Sequence, residues 1–162
     1  GDRIALLENG TLAQVGSPEE LYLRPSSRFV AGFVGRASVV AGVLRGDGLV
    51  EIGDTRFRGQ GVLWPAVAAE ELEQGTPVEV VFRPESLQLG SAEGEDSLAG
   101  VITARRFTGE ATYYRVDSEQ GGSLLVRGEL EEAAEGDPVG VIPRPSGPPP
   151  RCFRLPAREG EP

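Results

Sequence analysis

The sequence predicts a mainly β protein built from two similar halves, preceded by one hairpin and two short helices. Three observations carry that reading. The chain holds 23 Gly and 13 Pro in 162 residues, a supply of turn formers that suits many short strands over long helices. From Ser38 onward, short apolar runs alternate with turn signals such as Gly46-Asp47-Gly48 and Gly121-Gly122. One motif also occurs twice, as GTPVEVVFRP at 75–84 and GDPVGVIPRP at 136–145.

Along the chain, the apolar runs Arg3–Leu7 and Thr11–Val15 flank Asn9-Gly10. Asn-Gly tolerates positive φ at both positions and so predicts a tight hairpin. Ser17 then stands before Pro18, with Glu20 three residues after it. That is a capping box with proline at the first helical position, predicting a helix over Pro18–Leu23 that Pro25 stops. Ser26 or Ser27 can cap a second short helix whose apolar face is Phe29, Val30, Phe33 and Val34, ending on Gly35 as a C′ residue. Helices this short need a surface to dock on. The first 35 residues supply little of one, so the sequence reads as starting partway through a longer protein.

Predicted strands follow at Val39–Leu44, Leu49–Ile52, Thr55–Arg58, Val78–Phe82, Ser86–Leu89, Leu98–Phe107, Thr112–Val116, Ser123–Arg127, Val139–Ile142 and Cys152–Leu155. Ala66–Glu73 reads as one helix. The repeat extends beyond the doubled motif: AGVL at 41–44 is echoed by AGVI at 99–102, and FRG at 57–59 by VRG at 126–128. Runs of short strands are hard to stabilise alone. The two units, about 38–90 and 97–156, are therefore expected to pack together as small closed or nearly closed barrels. Such closure removes exposed strand edges. The polar loop Ser91–Ser97 joins them, Ser146–Pro150 is an extended spacer, and residues 157–162 are a flexible tail.

Composition excludes several functions. The net charge is −9, which argues against nucleic acid and anionic membrane surfaces, because phosphate contacts need a basic face. The single Cys cannot form an internal disulfide. His and Met are absent, and the basic residues are all Arg. Ser–His–Asp triads, histidine bases and Cys/His zinc sites are therefore excluded. The acidic pairs Glu70-Glu71 and Glu131-Glu132 read as solvated faces. Trp64 reads as a core plug and Cys152 as a packed side chain.

At this point the residues resemble a known family. Asp2-Arg3-Ile4, Gly10, Leu12, Gln14, Gly16, Ser17-Pro18-Glu19-Glu20-Leu21-Tyr22, Pro25, Phe29-Val30-Ala31, Phe33 and Gly35 are similar to the end of the ATP-binding domain in bacterial ABC importers. Arg83-Pro84-Glu85, Gly100-Val101-Ile102 and Gly109-Glu110 resemble the TOBE domain that follows it. The resemblance implies residues 1–35 as the remnant of the ATPase domain and 36–156 as an OB-like TOBE domain. It further implies a non-catalytic accessory, regulatory and dimer-supporting role. The parent chain would bind ATP and Mg, form a homodimer, and work with permease subunits on the cytoplasmic face of the membrane. A regulatory protein or small ligand is a further partner that the likeness suggests. The phosphate-binding GxxxxGK(S/T) loop needs a Lys that this chain lacks, so no ATP hydrolysis is expected from it.

The candidate contact residues are Arg83, Glu85 and Arg144, which follow apolar strands in the doubled motif, together with Gly109 and Glu110. Arg83 reads most simply as paired with a carboxylate such as Glu85. The alternative is a small-molecule or oxyanion sensor with Arg83 and Arg144 as anion donors. Arg105-Arg106-Phe107, Arg115 and Tyr113-Tyr114 read as strand decoration, with the two adjacent arginines on opposite faces. The transported substrate is not readable.

Overall fold

A computed structural model describes residues 2–53, 61–129 and 133–156. The expected strand Thr55–Arg58, the FRG echo at 57–59, the Glu131-Glu132 pair and the tail at 157–162 lie outside them.

The first two strands, β1 (Ile4–Glu8) and β2 (Thr11–Gly16), form the expected hairpin. Asn9 and Gly10 both take positive φ, 51° and 80°. The first helix, α1, is Pro18–Leu23 and carries the full capping box: the Ser17 side chain accepts from the Glu20 N–H, and Glu20 accepts from the Ser17 N–H at 3.0 Å. The second helix, α2 (Arg28–Phe33), is capped by Ser27. Its inward face differs from expectation. Val30 and Ala31 are buried while Phe33 is 66% exposed, because six residues expose only one turn to the surface below. Gly35 follows the C-cap Val34 as the expected C′ residue, but without the left-handed φ usual there. Gly35 is small for another reason: a Cβ there would press on the Tyr22 ring at 3.1 Å.

The remaining strands are β3 (Ser38–Arg45), β4 (Leu49–Ile52), β5 (Val62–Pro65), β6 (Val67–Ala68), β7 (Pro77–Phe82), β8 (Leu87–Gly90), β9 (Leu98–Phe107), β10 (Thr112–Ser118), β11 (Gly122–Gly128), β12 (Pro138–Pro143) and β13 (Arg151–Arg154). A 3₁₀ turn at Pro84–Ser86 precedes β8. The helix expected over Ala66–Glu73 is absent. Val67–Ala68 instead runs parallel to β13, with the Val67 N–H donating to Pro150 O at 2.8 Å and that of Ala69 to Cys152 O at 3.0 Å. Edge pairing satisfies backbone groups that a helix following Pro65 would have had to satisfy internally.

Two sheets form the β body, ordered β5-β4-β3-β7-β13-β6 and β11-β10-β9-β12-β8. Aligning β3 with β9 and β7 with β12 maps one sheet onto the other strand by strand. The final strand of each half is exchanged: β8 pairs with β12 of the second half, and β13 pairs with β7 of the first. The equivalence reaches single hydrogen bonds. Gly75 N–H donates to Leu44 O at 2.7 Å, and Gly136 N–H to Ile102 O at 2.8 Å. Both glycines have positive φ, 92° and 89°, which explains why the repeated motif opens on Gly.

One continuous core joins the sheets. It includes Val40, Val78 and Phe82 from the first and Leu98, Tyr114 and Val126 from the second. Trp64 is fully buried within it, as is Cys152, whose thiol pKa burial raises. The hairpin and helices have their own small cluster of Leu6, Leu21 and Val30.

The repeat makes one quantitative prediction. A Cβ on Gly42 would stand 2.7 Å from Glu51 O and 2.6 Å from a Val50 methyl, and one on Gly100 would stand 2.6 Å from Asp117 O and 2.7 Å from a Val116 methyl. Because backbone cannot give way cheaply, Gly42→Ala and Gly100→Ala should each cost about 2 kcal/mol. Urea unfolding should return similar losses for the two.

Candidate functional site

Two features meet where the hairpin-and-helix segment joins the β body. The first is a clasp. At the end of α1, the Tyr22 ring lies under the Arg83 guanidinium, whose carbon is 4.4 Å from the ring centroid. Arg83 Nη1 donates to Arg36 O at 3.2 Å and Nη2 to Tyr22 O at 3.4 Å. The Tyr22 hydroxyl donates to Glu85 Oε1. One buried arginine thus ties the helix end and the connection after α2 to the turn that leaves β7. Burial first, and then the bond to Glu85 and its charge, raise the Tyr22 pKa above its ordinary value. Burial pulls Arg83 down, opposed by Tyr22 and Glu85.

The expected Arg83–Glu85 pair is therefore indirect. Among the described residues the ion pairs are Arg28–Glu79 and Arg45–Glu51. Arg83 instead satisfies carbonyl oxygens, with Tyr22 between it and the carboxylate. Arg144, its repeat equivalent, does likewise: Nε donates to Leu87 O at 3.3 Å and Nη2 to Arg127 O at 2.6 Å. The two turns match in backbone as well, with Ser86 N–H bonded to Arg83 O and Gly147 N–H to Arg144 O. Both guanidiniums thus donate to backbone carbonyl oxygens. Gly109, at φ +91°, and exposed Glu110 form the tip of the β9–β10 connection and take no part in the clasp. The loop Ser91–Ser97 is held to the core, since the Trp64 indole donates to Asp96 O at 2.7 Å.

The second feature is a cleft of about 450 Å³ lined by Arg36, Ala37 and Ser38 together with Arg105, Arg106, Tyr113 and Arg115 of the five-stranded sheet, and by Ser123 and Leu125 beside them. Arg105 and Arg106 both border it, although the ladder keeps them on opposite faces as expected, Arg106 opposite Tyr113 and Arg105 opposite Tyr114. A bulge interrupts β9 beside β10, where the pairing shifts between Arg115 and Val116. Beyond it β9 is exposed on both faces as far as Phe107. Tyr114 stays in the core while Tyr113 faces the cleft. Tyr22 and Arg36 were invisible as functional residues, because their partners lie tens of residues away.

Two packed sheets, antiparallel but for the β6–β13 pair, with exchanged final strands define a mainly β, OB-like domain. Comparison with known proteins narrows this. Residues 80–147 match the TOBE domain family. The chain is 38% identical over 128 residues to the spermidine/putrescine import ATP-binding protein PotA 1 of Pseudomonas aeruginosa, covering 78% of this chain and 34% of that protein. It is 31% identical over 156 residues to PotA of Pseudomonas fluorescens, covering 96% and 42%. PotA of Mesorhizobium japonicum is 32% identical over 147 residues, covering 87% and 39%. The chain thus spans about two fifths or less of the length of these relatives, matching their C-terminal part. It carries a TOBE domain and is similar to the C-terminal part of ATP-binding subunits of ABC importers. A solved structure of the cytoplasmic molybdate-binding protein ModG shares the fold at TM-score 0.52 and 15% identity, covering 74% of this chain and 96% of ModG. No helix among the described residues is long and apolar enough to cross a membrane.

Proposed function

We propose that this chain acts as a non-catalytic accessory and regulatory domain of an importer's ATP-binding subunit. It supports the subunit's homodimer and works beside permease subunits at the cytoplasmic membrane face. ATP and Mg are bound by the parent subunit outside this chain. The clasp carries the reading: a domain that transmits a conformational signal must be fixed to the segment that moves, and Arg83, Tyr22 and Glu85 provide that fixation. The hairpin supplies a second support. Leu7 and Leu12 pair side by side at 62% and 55% exposure, with Val15 also exposed. A bare apolar face of this kind suits docking on a larger ATP-binding domain. The relatives' names favour a polyamine as the transported solute.

Sedimentation of the full-length subunit, with and without residues 36–156, tests this. The shortened subunit should still bind ATP but dissociate at least several-fold more readily into monomers. Equal dimer affinity in the two would overturn the dimer-supporting role.

A further inference from the structure

We propose that the arginine-lined cleft binds a multiply charged, phosphate-bearing small anion of mononucleotide size. The site is assembled from separate parts of the chain. Arg36 comes from the connection after α2, Arg105 and Arg106 from β9, and Tyr113 and Arg115 from β10. Its volume of about 450 Å³ lies within the usual range for small-ligand pockets and exceeds what one tetrahedral oxyanion fills.

The charge distribution singles this place out. The chain carries 25 acidic residues against 16 basic ones, yet the cleft is lined by four arginines and no carboxylate. Arg36, Arg105 and Arg106 take no part in the ion pairs of the described residues. Like charges gathered without counter-charge repel one another, and a bound anion relieves that repulsion. Two of the donors are also held in place. The Arg115 Nη1 donates to Ser123 Oγ at 2.9 Å, and the Arg36 guanidinium stands 5.5 Å over the Tyr113 ring. Across the sheet, Arg106 and Arg127 pair on either side of Tyr113, so the same face continues cationic. Guanidinium forks match phosphate oxygens in bidentate fashion, and several of them around one cavity suit a ligand with more than one negative charge. The acidity of the remaining chain disfavours a long polynucleotide, which needs an extended basic track. Arg83 and Arg144 are not part of this site, since carbonyl oxygens occupy them.

Titration calorimetry of the chain with inorganic pyrophosphate and with AMP, at constant ionic strength, tests the site. Saturable single-site binding is expected. Arg36→Gln and Arg106→Gln should each weaken it about tenfold, the usual worth of one charge-assisted bond. Arg154→Gln, at the exposed end of β13 outside the cleft, should bind as the unmodified chain does. Thermal unfolding of each variant confirms that the fold is retained, and Arg36→Lys serves as a substitute if Arg36→Gln does not fold. Absence of saturable heat with both probes at millimolar concentration would overturn the proposal. So would binding that the cleft variants leave unchanged, or binding of citrate or an oligonucleotide with neither phosphate probe bound.

Discussion

Trp64→Ala should destabilise the chain by about 3–5 kcal/mol, the range for deleting a fully buried large aromatic. Trp64 is 1% exposed. It meets Phe82 edge to face at 5.5 Å and 89°, and its indole N–H donates to Asp96 O in the loop between the halves. Truncation therefore opens a cavity and leaves a carbonyl without its donor at once. The loss should be felt by both sheets. The core is continuous between them, and each sheet holds the other half's last strand. Urea unfolding followed by fluorescence of the tyrosines and by far-ultraviolet circular dichroism should give one coincident transition, shifted as a whole. Two separated transitions in the variant would contradict a shared core.

Arg83→Met should cost about 3 kcal/mol, since two carbonyl acceptors, Tyr22 O and Arg36 O, lose their donor in a largely buried place. The effect should also be local. Amides of α1 and α2 should exchange faster while those of β9 and β10 keep their protection. The same clasp sets a pH dependence. The Tyr22 pKa is raised from 10.0 by burial first and then by Glu85, so the folded state holds the phenolic proton more tightly than the unfolded chain does. The contribution is fully present below pH 10 and is lost as pH rises through the higher folded value. Tyr22→Phe should remove that alkaline loss, which thermal unfolding across pH 8 to about 11 measures.

The local features were legible in the sequence. Asn9-Gly10 specified the hairpin, Ser17 and Glu20 the capping box, and apolar runs bounded by Gly and Pro gave most strands, because each depends on neighbours a few residues away. The repeat announced itself through GTPVEVVFRP and GDPVGVIPRP, which fix the same turn and register in each half. Strand exchange was not legible: β8 and β13 carry the same kind of residues whichever sheet they join, and only the path of the turns at Arg83 and Arg144 decides it. The strand Val67–Ala68 inside the expected helix Ala66–Glu73 is not legible, because two residues cannot reveal a period. The candidate site was read in part. Arg83 and Glu85 stand out in the sequence as Arg83-Pro84-Glu85, but Tyr22, which joins them, is 63 positions from Glu85. The cleft is not legible because Arg36, Ala37 and Ser38, which form one of its walls, are distant in sequence from the strands that form the other.

The central claim is that the clasp couples this domain to the ATP-binding part of its subunit. It is tested most directly by ATP hydrolysis in an importer reconstituted with full-length subunits carrying Arg83→Met. The account predicts that basal hydrolysis is retained while its stimulation by the transported solute falls several-fold. Unchanged stimulation in a folded, fully assembled variant would contradict it.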